Sequence, residues 1–295
     1  MRTSASLRIA STLASALLAA NVQAGEGTAP STPSMPAAPA APAARIVALQ
    51  PSMVEAVCVL GACERLVGVS RHANWPESVG QLPRVGGMAD ADVEAIVALQ
   101  PDLVLLGSRS RAADRLRALG LRVLVLDARS HADIQRNLEA IAQAIGRPGA
   151  GQALWQRINA RLHALSAQVP PEWRGRRVYL ELHGGHAAAG AASFIGETLT
   201  RLGLANVVPV QMGAFPKLAP EYVLRADPDL LITAKASVAP PPATRPGWHS
   251  LRAVRDKRHC AIDNSAFEIM LRPGPRIDEA AASILQCLRG LDAPG

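Results

Sequence analysis

One sequence pattern occurs twice in this chain, and it constrains the fold more than any other feature. Residues 94–106 read EAIVALQPDLVLL, and residues 221–233 read EYVLRADPDLLIT. In each copy a glutamate stands seven residues before a proline-aspartate pair, and a short apolar run follows. Proline cannot continue a helix, because it lacks the N–H and disfavours helical geometry in the preceding residue. Each copy therefore predicts a helix, a break and a buried strand, and the repetition predicts two similarly built lobes with a cleft between them.

The N-terminal segment has the pattern of a secretory signal peptide. Two arginines precede an apolar stretch at residues 9–20, and a Val-Gln-Ala cleavage site follows at 22–24. The apolar stretch is too short to remain as a membrane span. Residues 25–44 are rich in alanine and proline and predict a linker. We therefore expect residues 1–24 to be removed on export, which leaves an exported protein that does not span the membrane.

From residue 45 onward, strand and helix patterns alternate, which is typical of parallel sheets covered by helices. Within this pattern we expect Ser52 to be the N-cap of the first helix, residues 207–210 to form a strand, and residues 264–272 to form a loop after a strand. Residues 45–146 are predicted to form an N-terminal α/β lobe, and residues 172–295 a C-terminal one. Residues 147–171 are predicted to form the connection, because apolar residues recur there at helical spacing until a Pro-Pro pair. The predicted fold class is thus α/β, with two Rossmann-like lobes joined by one long rigid helix and a ligand cleft between them.

Export permits disulfide bonds, and the chain has four cysteines. Four cysteines allow three connectivities. We favour Cys58–Cys63 and Cys260–Cys287, because each pair then falls within one predicted lobe. A zinc site is the alternative, but the chain has no C-x-x-C or H-x-x-x-H spacing to favour it.

The excess of basic residues does not indicate a nucleic-acid-binding protein. The formal net charge is +7, yet lysine and arginine are scattered and aromatic residues make up only 3% of the chain. The positive balance instead favours attraction of an anionic small ligand, or solubility alone.

Ligands of parallel α/β lobes bind beyond the carboxyl ends of the strands, and this rule selects the candidate contact residues. The loops that follow the predicted strands carry hydroxyl, imidazole, indole, phenyl and guanidinium groups. In the first lobe the candidates are Ser52, His72, Trp75, Arg109 and Arg111, and in the second they are His183, His186, Phe267 and Arg272.

The chemistry of these groups favours an anionic ligand. A neutral imidazole at His72 is suited to ligate cobalt or iron or to hydrogen-bond the ligand, although a solvated loop histidine is equally compatible with the pattern. The three arginines are suited to neutralise propionates, a phosphate or siderophore oxygens. The aromatic candidates offer flat apolar walls, while Trp75 before a proline also suits a loop anchor. His183 and His186 flank two glycines, which fits ligand contact or a plain turn.

The order of motifs over residues 45–289 resembles the helical-backbone periplasmic binding proteins of ABC importers, which capture cobalamin, haem or ferric siderophores. In the first half the matching segments are RIVALQPSMVE at 45–55, LVGVS at 66–70, NWP at 74–76, RVGG at 84–87 and residues 94–106. In the second half they are GE at 196–197, FP at 215–216, residues 221–233 and GPRI at 274–277.

This resemblance implies a monomeric, non-catalytic protein that carries a cobalt- or iron-containing chelate to an inner-membrane permease and holds no permanent cofactor. In cobalamin-binding members of the family, an aromatic residue at the position of His72 and tryptophans near Met88 and Phe215 face the ligand. Methionine in place of tryptophan keeps haem and ferric siderophores open beside cobalamin. The family's permease-docking glutamates fall on Glu94 and Glu221, which also suit the first turn of a helix.

Two alternative functions would require different residues. A binding protein for free zinc or manganese would need three or four converging histidine and carboxylate ligands. An exported hydrolase of the esterase type would need a G-x-S-x-G nucleophile turn, and the chain has none.

Overall fold

Two parallel four-stranded sheets organise the described part of the chain. The computed structural model describes residues 41–182, 187–237 and 239–291. The strands are β1 (Ile46–Ala48), β2 (Leu66–Val69), β3 (Leu103–Leu106), β4 (Val123–Val125), β5 (Arg177–Leu180), β6 (Ala205–Asn206), β7 (Leu230–Ala234) and β8 (His259–Ile262). The strand orders are β2-β1-β3-β4 and β6-β5-β7-β8, with parallel pairing throughout. Both halves therefore have the same winding, as the repeated pattern predicts.

Helices cover these sheets and connect them. They are α1 (Pro51–Val59), α2 (Val93–Ala98), α3 (Ala112–Ala118), α4 (His131–Ala144), α5 (Ala150–Ala167), α6 (Phe194–Arg201), α7 (Pro220–Ala226), α8 (Arg252–Arg255), α9 (Asn264–Met270) and α10 (Ile277–Gly290). The connecting helix α5 has 18 residues, which corresponds to about 27 Å. None of the helices in the described ranges is long and apolar enough to cross a bilayer.

The two copies of the repeated pattern form equivalent elements. The first copy gives α2 and β3, and the second gives α7 and β7. Every residue of β3 and β7 is buried, and each strand has neighbours on both sides in its sheet. The predicted helix, break and buried strand are thus confirmed in both halves.

Three local predictions were wrong at the level of element boundaries. Helix α1 begins at Pro51, which favours the first helical position, so Gln50 rather than Ser52 is the N-cap. A strand predicted at 207–210 is found at Ala205–Asn206, and residues 210–212 form a short 3-10 turn. The segment 264–272, predicted as a loop, contains α9, whose buried side is formed by only two residues, too few to show a clear period.

Both favoured disulfides are present. Cys58 and Cys63 join the end of α1 to the turn before β2, with a Cα–Cα distance of 4.0 Å. Cys260 in β8 is joined to Cys287 in α10 at 5.8 Å. The second disulfide therefore attaches the last helix to the edge of the second sheet.

A buried histidine joins α4 of the first half to α6 of the second. The His131 Nε2 lies 2.9 Å from Thr198 Oγ1 and 3.0 Å from the Phe194 carbonyl oxygen. Its backbone N–H donates to Glu197 at 2.6 Å, and its ring packs edge-on against Trp155 of α5. Burial, followed by the nearby Arg201 guanidinium, lowers the pKa of His131 from 6.5 to about 4.

This histidine is expected to make the fold less stable as the pH falls from 6.5 to 4. Above pH 6.5 the His131 imidazole is neutral in both the folded and the unfolded protein. Between pH 6.5 and pH 4 only the unfolded chain takes up the proton, so protonation favours unfolding. The loss reaches about 3 kcal/mol near pH 4, at about 1.4 kcal/mol for each unit of pKa difference. Urea unfolding across this pH range should show the decrease in the free energy of unfolding of the wild type. In His131→Gln the part of this decrease that comes from His131 should be absent. Parallel profiles for the two proteins would contradict this prediction.

Candidate ligand-binding cleft

A cavity of about 640 Å³ is lined by residues from both halves of the fold. Its first-half residues come from the loops that follow β1 and β2, and its second-half residues come from the end of α9 and the turn after it. They are Gln50, Pro51, Ser52, Ser70, Arg71, His72, Ala73, Asn74 and Met88 on one side, and Glu268, Leu271, Arg272 and Pro273 on the other. The cavity thus lies beyond the carboxyl ends of β1 and β2, where ligands of such folds bind.

The start of α1 packs tightly against the second half beneath this cavity. Ser52 is buried in the first turn of α1, and a β-carbon placed on Gly274 would lie 3.0 Å from the Ser52 β-carbon. A side chain at this position would crowd Ser52, so glycine at 274 lets the turn after α9 pack closely against α1. Ser52 is accordingly where the sequence predicts it, on the cavity wall at a helix N-terminus.

His72 and Met88 both lie on the first-half wall of the cavity. Both side chains are exposed and line the cavity. A β-carbon on Gly87 would lie 4.0 Å from His72 Cδ2, so the chain just before Met88 runs beside the imidazole. An ion pair between Arg71 and Asp90 holds the two segments together. Imidazole and thioether are both ligands for iron, so this wall carries two side chains that can bind a metal.

Arg272 lines the cavity, but its guanidinium group is already occupied. Its side chain is 11% exposed and donates to Glu55 at 2.6 Å, Asn74 at 2.9 Å and Glu268 at 3.1 Å. Burial raises the pKa of Glu55 above its ordinary value, against the opposing effect of Arg272 and Arg276. The structure therefore places Arg272 in a compensated charge cluster, whereas the sequence predicts a guanidinium free for an anionic ligand.

Two predicted aromatic contacts are packed elsewhere. Trp75 is half-buried outside the cavity lining, and the Arg276 guanidinium lies 4.6 Å from its ring centroid, which matches the loop-anchor interpretation. Phe267 is 1% exposed and belongs to the hydrophobic core, because it lies on the buried side of α9. Phe215 is 41% exposed on the loop after β6 and contacts Phe194 edge-on. It therefore lies at the carboxyl edge of the second sheet, although not on the cavity wall.

The remaining predicted arginines are not among the residues that line the cavity. Arg109 and Arg111 are exposed on the loop after β3. A β-carbon on Gly107 would lie 2.1 Å from the side-chain nitrogen of Gln50, so this loop packs against a residue of the cavity wall. Within the described residues no ion pair involves either arginine. His183 and His186 lie outside the described residues.

The side-chain partners of Arg272 are not among the residues predicted from the sequence. They are Glu55, Asn74 and Glu268. Glu55 is a charged residue within the otherwise apolar stretch of α1, and it is 1% exposed. A carboxylate inside an apolar helix segment indicates a buried partner, so this signal was available in the sequence. Glu268 is also flanked by apolar residues but is exposed, whereas Asn74 lies in a polar loop and carried no such signal.

Two further features bear on function. Glu94 and Glu221 are exposed in the first turns of α2 and α7, at equivalent positions of the repeat. Across the ranges that the structure describes, no group of three or more histidine, cysteine, aspartate or glutamate residues is arranged to hold a metal ion.

The chain is similar to several known binding proteins. It is 27% identical over 254 residues to an uncharacterized ABC transporter substrate-binding lipoprotein of Bacillus subtilis, which covers 83% of this chain and 79% of that protein. It is 29% identical over 256 residues to a cobalamin-binding protein of Halobacterium salinarum, covering 81% and 67%. A periplasmic heme-binding protein in complex with two hemes superposes with a TM-score of 0.71 at 25% identity, covering 83% and 98%. The sequence model of periplasmic binding proteins matches residues 46–266. The chain therefore belongs to the periplasmic binding protein family.

Proposed function

We propose that this protein captures a metal chelate (a corrinoid, haem or a ferric siderophore) and delivers it to the permease of an ABC importer in the inner membrane. The observation that carries the proposal is the cavity of about 640 Å³ with His72 and Met88 on its first-half wall. Pockets of this size suit ligands of several hundred Å³. Relatives named for cobalamin and heme binding support the same ligand class.

Charge compensation in the cavity favours a chelate over a bare ion. Arg71 is paired with Asp90, and Arg272 with Glu55 and Glu268. A divalent cation needs several unpaired carboxylate or imidazole ligands around it. A chelate brings most of the metal's ligands with it, so one imidazole and apolar walls are sufficient to hold it.

The other predicted residues have supporting roles in this proposal. Ser52 presents the N-terminus of α1 to an acceptor on the ligand. Arg109 and Arg111 attract anionic substituents from the edge of the cleft. Phe215 offers an apolar contact from the second sheet, and His183 and His186, which follow β5 in the sequence, are further candidate contacts.

The cellular setting follows from the same proposal. Residues 1–24 direct export, residues 25–44 link the folded part to the cleavage site, and the mature protein acts as a periplasmic monomer. Glu94 and Glu221 dock onto arginines of the permease. No bond is made or broken in the ligand, so the protein does not act as an enzyme.

Titration of the purified mature protein with cyanocobalamin, haemin and a ferric siderophore tests the ligand class. One of the three is expected to saturate at one equivalent, or at two for haem, and to change the absorbance of the chelate or the tryptophan fluorescence. His72→Ala should weaken binding by about tenfold or more through loss of a metal ligand. His163→Ala, which alters an exposed histidine on α5, serves as the control and should bind as the wild type does. If only a bare divalent metal changes the fluorescence, the free-ion function replaces this one.

A further inference from the structure

Arg272 connects the cavity loop of the first half to the second half. Its Nη1 donates to Glu55 of α1 at 2.6 Å and to the Asn74 side chain at 2.9 Å. Its Nη2 donates to Glu268 at 3.1 Å and to the His72 carbonyl oxygen at 3.5 Å. One guanidinium group thus contacts the loop that carries His72, the middle of α1, and α9, which ends just before Arg272.

The surroundings of Arg272 strengthen this connection. The Asn74 side chain also donates to Glu268 at 3.2 Å, which closes a ring of polar contacts across the two halves. Arg276 lies 3.7 Å from Glu55, and its guanidinium covers the ring of Trp75. Glu55 is buried and does not line the cavity, so its influence on a ligand must act through its partners.

We propose that Arg272 is a positioning residue, which holds the loop of His72 and Asn74 in its binding geometry through Glu55 and Glu268. It does not neutralise an anionic group of the ligand. Its two terminal nitrogens are directed at four protein acceptors, and two carboxylates already balance its charge. The planar, forked guanidinium suits several acceptors at once, and the single ammonium of lysine cannot reproduce these contacts.

This inference deepens the proposed function, and its consequence for affinity rests on that function. The order of the loop does not rest on it, so the loop can be tested without any ligand. Hydrogen–deuterium exchange of peptides that span residues 70–76 is the direct measurement. In Glu55→Gln and Arg272→Lys we expect exchange of this segment to accelerate by about tenfold, the effect of losing one hydrogen bond to a charged group. Asn74→Ala, a change in an exposed loop, is the milder variant should either buried change prevent folding.

His131→Gln is the matched control, because it alters a second contact between the halves away from the cavity. Its exchange over 70–76 should equal that of the wild type. Equal acceleration in the control would mean general loosening between the halves and would overturn the proposal. Unchanged exchange in Glu55→Gln, Arg272→Lys and Asn74→Ala would overturn it as well.

Affinity for haemin and cyanocobalamin then separates positioning from direct contact. If Arg272 positions the loop, Glu55→Gln and Arg272→Lys should weaken binding to the same extent, for whichever of the two probes the wild type binds. This holds although Glu55 does not line the cavity. The double variant should lose little more than either single variant, because both remove one shared interaction. Direct contact predicts that Arg272→Lys binds nearly normally and Glu55→Gln binds fully, and this result would refute the proposal. If the wild type binds no chelate, the proposed function fails, while the exchange data still decide the role of Arg272.

Discussion

Replacing Glu94 and Glu221 together by alanine is expected to abolish stimulation of the permease while leaving chelate affinity unchanged. The two carboxylates are exposed at equivalent positions of two similarly wound halves, so they suit a partner built with two-fold symmetry. Close charge pairs across an interface contribute about 1.5 kcal/mol or more, so each replacement should weaken docking by about tenfold or more. Neither residue lines the cavity, which is why binding of the chelate should persist.

Chelate-stimulated ATP hydrolysis in proteoliposomes that contain the cognate permease measures this effect. Each single variant should retain part of the stimulation, and raising the salt concentration should weaken docking of the wild type. Glu77→Ala, which removes another exposed carboxylate near the start of a short helical turn, is the control and should stimulate normally. Full stimulation by the double variant, or loss of chelate binding in it, would contradict the docking role.

Removal of the Cys260–Cys287 disulfide is expected to lower the free energy of unfolding by about 3.5 kcal/mol. This disulfide closes a segment with a sequence separation of 27, whereas Cys58–Cys63 closes one of only 5. Because a longer closed loop restricts the unfolded chain more strongly, removal of the short disulfide should cost only about 2 kcal/mol. The larger loss is a substantial part of the stability of about 5–15 kcal/mol that is usual for folded proteins.

Urea unfolding of Cys260→Ser/Cys287→Ser and of Cys58→Ser/Cys63→Ser under non-oxidising conditions compares the two losses directly. The longer loop contains α9 and Arg272, so we also expect chelate affinity to fall more in the first variant than in the second. A greater loss of stability on removal of the short disulfide would contradict the loop-length argument.

The cavity illustrates what a sequence can predict of a site. The strand-end rule selected Ser52 and His72, and both line one cavity, because the carboxyl ends of parallel strands share one edge of a sheet. The same rule says nothing about the direction of a side chain on a short helix. Phe267 lies at a strand end as predicted, yet it points into the core, since α9 buries that side against its neighbours.

The sequence by itself determined the two-lobed α/β architecture, the buried strands of the repeat and the favoured cysteine pairs. These depend on proline breaks, apolar runs and spacing, which act over a few residues of chain. Only the tertiary structure decided the role of Arg272, because its partner Glu55 is 217 residues away. Whether a guanidinium is free for a ligand or compensated by a buried carboxylate depends on which distant groups the fold brings within 3 Å, and no local pattern contains that information.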